Sequence, residues 1–78
     1  MKYLTLSSQD LGPVLVAFSG SLSHAEVANA LAGPKLALRS AGFIERDGDK
    51  FRCFGDSNSL GIRALPSDST IATAHFNV

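Results

Sequence analysis

His24, Cys53 and His75 can each ligate a metal ion through nitrogen or sulfur. No two of them stand at a ligand spacing such as Cys-x-x-Cys or His-x-x-x-His, so no metal site is expected. Cys53 is the only cysteine. A lone thiol becomes reactive only where its surroundings lower its pKa. On the apolar face of a strand, Cys53 reads instead as a small core residue. His24 falls in the first turn of a predicted helix, where a solvated surface residue is expected. Phe43 and Phe54, on the charged face of a predicted hairpin that also carries Arg52, form the remaining set. Rings in such a place can stack nucleic-acid bases, pack under the first helix, or pack against a second copy of the chain.

Two stretches resemble motifs of enzyme families. Val14-Leu15-Val16-Ala17-Phe18-Ser19-Gly20-Ser21-Leu22-Ser23-His24 resembles the PP-loop of the ATP pyrophosphatases, in which a strand enters Ser-Gly-Gly-x-Asp-Ser and then a helix. The chain keeps Ser19 and Gly20. It departs at Ser21, Ser23 and His24, where the family has Gly, Asp and Ser. The resemblance implies a parallel sheet far longer than this chain. What the residues retain is an anion or nucleotide site at Ser19, Gly20, Ser21 and Ser23, built from backbone amides at a helix N-terminus. Cys53-Phe54-Gly55-Asp56-Ser57-Asn58-Ser59-Leu60-Gly61 resembles the first block of the GDSL, or SGNH, hydrolases. That resemblance implies a nucleophile at Ser57, with Asp68 and His75 as candidate partners. The family's Asp-x-x-His is absent, and an ordinary turn uses the same Gly and Asn. The run from Cys53 to Asp68 is also similar to short uncharacterised bacterial and prophage proteins, a resemblance that implies a small stand-alone protein and carries no site.

The elements that must position these residues follow from composition and pattern. The chain has 78 residues, enough for one small domain, and 45% of them are apolar. Seven basic and seven acidic side chains cancel, which argues against a nucleic-acid partner and leaves self-association open. No window approaches the roughly 20 apolar residues of a membrane span, and the apolar start at Met1–Leu6 is too short for a signal peptide. With one cysteine the fold must hold by packing alone, and a cytoplasmic setting is expected.

Leu4 and Leu6 alternate with Tyr3, Thr5 and Ser7 as a strand, and Val14–Phe18 reads as a buried strand. Ser23 and Glu26 stand at capping-box spacing, flanked by Leu22 and Val27 as a hydrophobic staple. The helix is placed from about His24 to Ala32, with Val27, Ala30 and Leu31 inward. Gly33 is expected to end it as a left-handed cap before Pro34. From Ser40 a hairpin is expected, with Asp47-Gly48 as a type I′ turn. That register sets Arg46 opposite Asp49, Glu45 opposite Lys50, Ile44 opposite Phe51 and Phe43 opposite Arg52. Gly55–Asn58 reads as a second turn and Leu60–Ala64 as a strand. Ser67 or Asp68 caps a short C-terminal helix, preferred over a strand for Thr70–Val78.

The expected fold is α+β, a mainly antiparallel sheet of about five strands with one or two helices, in the order β-β-α-β-β-β-α. The expected function is a non-enzymatic protein-interaction or self-associating module of bacterial or phage origin, without cofactor. Its contact surface is placed at Phe43, Arg52 and Phe54. The alternatives are anion or nucleotide binding at Ser19–Ser23 and a minimal serine hydrolase at Ser57.

Overall fold

A computed structural model describes residues 1–10 and 12–76 of the chain. The order is β1 (Lys2–Ser8), β2 (Gly12–Phe18), α1 (His24–Leu31), β3 (Leu36–Asp47), β4 (Lys50–Phe54), β5 (Asp56–Ser57), β6 (Ile62–Arg63) and α2 (Asp68–Phe76). The α+β class holds. The expected sheet of about five strands resolves into a four-stranded antiparallel sheet, β2-β1-β3-β4, and a separate β5–β6 pair.

The alternation along β1 feeds two cores. Leu4 and Leu6 pack with Phe18, Ala28 and Ala41 on the α1 face, where Leu60 and Ile62 also lie. Tyr3 packs with Leu15, Ile44 and Ala72 on the α2 face. With both faces covered, Tyr3, Leu4 and Thr5 are fully buried. At about 25 cal/mol per Å² of apolar area removed from water, these two layers supply most of the drive to fold.

β3 is longer than the sequence pattern implies, because it begins at Leu36 rather than at Ser40. Thr5 stands opposite Ser40 and Leu6 opposite Leu38, so Arg39 is the extra residue of a β-bulge. The bulge lets Arg39 and Ser40 reach the same face: Arg39 bonds Thr5, Ser67 and Asp68, and Ser40 bonds Thr5.

The β3–β4 hairpin turns one residue later than expected. Asp47 pairs with Lys50, Glu45 with Arg52, Ile44 with Cys53 and Phe43 with Phe54. Gly48 has φ +65° and no non-glycine residue among those described has positive φ, so the two-residue loop is Gly48-Asp49. A type II′ turn needs positive φ only at its first central position, whereas the expected type I′ needs it at both. Each partner moves by two positions, which keeps the strand's period, so Ile44, Phe51 and Cys53 still share one face.

α1 carries the expected capping box: the Ser23 hydroxyl accepts from the Glu26 N–H and the Glu26 carboxylate accepts from the Ser23 N–H, both at 3.1 Å. Its inward stripe differs from expectation. His24 and Ala28 are buried, while Ala30 and Leu31 face outward. Gly33 is not a left-handed cap; it exchanges backbone hydrogen bonds with Leu36 across Pro34-Lys35. Ser57 belongs to β5 rather than to a turn. The Leu60 N–H bonds the Ser57 hydroxyl and the Gly61 N–H bonds the Ser57 carbonyl, which leaves only Ile62 and Arg63 for strand β6.

The C-terminal segment is a helix as far as Phe76; the part of that expectation at residues 77 and 78 lies outside the described residues. α2 lies along β4 and also reaches β2. The Thr73 hydroxyl accepts from the Phe51 N–H at 3.0 Å, and the Ser69 hydroxyl accepts from the Cys53 N–H at 2.9 Å. Four helical residues rise about 6 Å and two strand residues about 6.7 Å. Hydroxyls at i and i+4 of a helix therefore match alternate amides of a strand.

Candidate functional site

The outer face of β3–β4 brings the exposed Phe43 and the half-buried Phe54 together beside the start of α1. Phe43 is 38% exposed. Its ring lies 6.0 Å from that of Phe54 and meets the His24 ring edge-on at 6.0 Å. The Arg52 guanidinium stacks 4.3 Å from the Phe54 centroid and pairs with Glu45 at 2.8 Å. A cation over a ring is worth about 0.5–1 kcal/mol at an exposed site. Arg52 is thereby held in place, and Phe43, Phe54 and Arg52 form one ridge.

His24 holds this ridge from below. It is 4% exposed, a correction to the surface position expected for it. Its Nε2 donates to the Gly42 carbonyl at 2.8 Å, and Phe18 meets its ring edge-on at 5.6 Å. The helix cap thus delivers a ring into the gap between two phenylalanines. Gly42 is required there for a different reason: a Cβ at this position would run into the Phe54 carbonyl and the Tyr3 ring. Beside the ridge lies a cleft of about 270 Å³, bounded by Lys2, Ser23, His24 and Phe43 on one side and by residues 56–59 on the other. The structure therefore brings Ser23, Ser57 and Phe43, from three separate sequence signals, to one place.

The Ser19–Ser23 turn is closed on itself. The Ser21 N–H bonds the Ser19 hydroxyl at 3.2 Å, and the Leu22 N–H bonds the Ser19 carbonyl at 3.1 Å. The Ser23 N–H is taken by Glu26, whose carboxylate stands where an incoming anion would approach. Ser57 is 2% exposed, and its hydroxyl accepts from the Leu60 N–H at 3.3 Å. His75 lies at the exposed end of α2 with its ring against Phe76. Asp68 is buried among other partners, so these three residues are not brought into one hydrogen-bonded set. Among the described residues no group of His, Cys, Asp and Glu is placed to hold a metal ion. No described helix is long and apolar enough to cross a membrane.

A second cluster, buried on the α2 face, is one that sequence reading does not single out. The Tyr3 hydroxyl donates to Asp68 Oδ2 at 2.5 Å, Arg39 Nη1 donates to Oδ1 at 2.7 Å and the Leu65 N–H donates to Oδ2 at 2.9 Å. Arg39 also donates to Ser67 at 2.7 Å. Among the described residues no buried side-chain polar atom lacks a partner. Burial pushes the Asp68 carboxyl up, but the Leu65 N–H, the Tyr3 hydroxyl, Ser40 and Arg39 outweigh it and hold the pKa below the usual carboxylate value. Burial, reinforced by Asp68, raises the Tyr3 pKa. Burial and the Asp68 charge also push the Cys53 thiol up to about 11, which keeps it protonated and unreactive at neutral pH. These groups are paired for structure: they anchor α2 to β1 and β3. The sequence signal that could have found them is Arg39 itself, one cation inside the run Leu36-Ala37-Leu38-Arg39-Ser40-Ala41.

No family model, curated protein or solved structure matches the chain.

Proposed function

We propose that the chain is a non-enzymatic protein-interaction module that presents the Phe43–Phe54–Arg52 ridge to a protein partner. The observation that carries this reading is the exposure of Phe43 in a fixed setting, with His24 and Phe54 against its ring and Arg52 stacked alongside. Aromatic and arginine side chains held rigid before binding are the groups that carry most interface energy, because little rotamer freedom remains to be lost. The adjoining cleft gives a partner side chain somewhere to insert. The balanced charge supports a protein partner over nucleic acid.

The test is a photo-cross-linking amino acid placed at position 43 and, as a control, at position 29 on the exposed side of α1. A discrete adduct formed from position 43 and not from 29 is the expected result. Equal labelling from both positions, or none from 43, would reject the ridge as a contact surface.

A further inference from the structure

β2 is the edge of the sheet remote from β4. Its hydrogen-bonding phase follows from Pro13, which stands opposite Ser7. Proline has no N–H, so it sits in a strand without loss only where its nitrogen faces away from the neighbouring strand. Antiparallel pairs alternate between bonded and non-bonded. Leu15, opposite Thr5, and Ala17, opposite Tyr3, therefore share the phase of Pro13 and direct their N–H and C=O groups outward. Among the described residues no hydrogen bond reaches these groups. No charged side chain occurs from Gly12 to Phe18. Charge, proline at the central positions and a covering element are the usual guards of an edge, and among the described residues this stretch has only the proline at its start.

We propose that β2 pairs antiparallel with β2 of a second copy about a two-fold axis, joining two four-stranded sheets. Leu15 then faces the partner's Ala17, and each gives its N–H to the other's C=O. Val16 lies on the axis, in a non-bonded pair with the partner's Val16, and Pro13 falls outside the bonded pairs. An uncharged edge on a chain of balanced charge suits a second copy. Every outward donor meets an acceptor under the two-fold, an uncharged row meets itself, and the zero formal net charge of the chain gives two copies no net repulsion. The proposal uses the opposite edge of the sheet from the β3–β4 ridge and does not depend on it.

The experiment is sedimentation of the whole chain over a concentration series, for the wild type, Ala17→Pro, Val14→Lys and Phe43→Ala. The wild type and Phe43→Ala are expected to self-associate alike. Ala17→Pro removes an N–H that the fold does not use, so its circular dichroism should match wild type while association weakens by about tenfold or more. Val14→Lys sets a charge beside the partner's Phe18 and should have the same effect, which keeps the test decisive if the proline variant fails to fold. Val16→Cys in a Cys53→Ala background should oxidise to a covalent dimer, because a non-bonded antiparallel pair brings Cα atoms to about 4.5 Å, within disulfide reach. The proposal is overturned if the wild type stays monomeric throughout, if folded Val14→Lys associates like wild type, or if Val16→Cys never cross-links. Loss of association in Phe43→Ala alone would move the contact to the ridge and overturn the β2 pairing.

Discussion

Along β4, the outward amides of Phe51 and Cys53 are taken by the Thr73 and Ser69 hydroxyls of α2. Along β2, the groups of Leu15 and Ala17 meet no such side chain among the described residues. Both edges began with the same need, since a row of unpaired backbone groups invites another strand. β4 was met from within the chain, by a helix whose hydroxyl spacing fits a strand. The difference teaches that α2 does two jobs. Ala72 and Ile71 fill the core under the sheet, while Ser69 and Thr73 close its side.

The comparison can be broken most severely at Asp68. Asp68→Ala leaves Arg39 and the Tyr3 hydroxyl without their acceptor, and breaking a buried ion pair costs about 3–5 kcal/mol. A domain of this size has a total stability of only several kcal/mol. Urea unfolding should therefore show a largely unfolded variant, or one in which α2 is released and β4 is as open as β2. Acid should reproduce this more gently. The Asp68 pKa is lower folded than unfolded, so the stability it contributes is fully present above the unfolded carboxylate value of about 3.9. It is lost as pH falls from there through the folded value. Urea midpoints should fall with pH in wild type below that value and fall less in Asp68→Asn.

A narrower change opens β4 alone. Ser69→Ala with Thr73→Val removes the two hydroxyls at a cost of about 1 kcal/mol each. Cys53 reports the event, because its thiol is held up to about 11 beside the edge. Alkylation of Cys53 at neutral pH should be slow in wild type and clearly faster in the double variant, with new association that Ala17→Pro does not suppress. Unchanged alkylation would mean that the hydroxyls do not seal the edge. The smallest effect belongs to Ser23→Ala, about 1 kcal/mol from loss of the α1 cap, with association and Cys53 alkylation both as in wild type.

These elements also mark what could be read from the sequence. The capping box at Ser23 and Glu26 is local, and it was legible in full. The hairpin and its two faces were legible because period-2 patterning survives a change of register. The turn type was not, since Asp47-Gly48-Asp49 satisfies two placements and charge pairing suits both. The bulge at Arg39 has no signature of its own; an extra residue is defined only against its partner strand. The burial of His24 has no local signal, because the Gly42 carbonyl and the Phe18 and Phe43 rings that surround it come from other elements. Phe43, Arg52 and Phe54 were placed together by strand parity alone. The cleft beside them was not, because it needs α1 and the β5–β6 pair to meet in space.

The Tyr3–Asp68 bond joins residues 65 positions apart, and this orders events while the chain is being synthesised. β1 leaves the ribosome well before α2, and the layer covering its Tyr3 face arrives only with α2. Until then β1 and β2 can pair and the α1 face can form, but Tyr3 and Leu15 remain uncovered, and both edges of the sheet are open at once. Long-range closure of this kind is slow and exposes sticky surface while it waits. Any factor that shields nascent chains would meet this one in its most vulnerable form just before α2 is made.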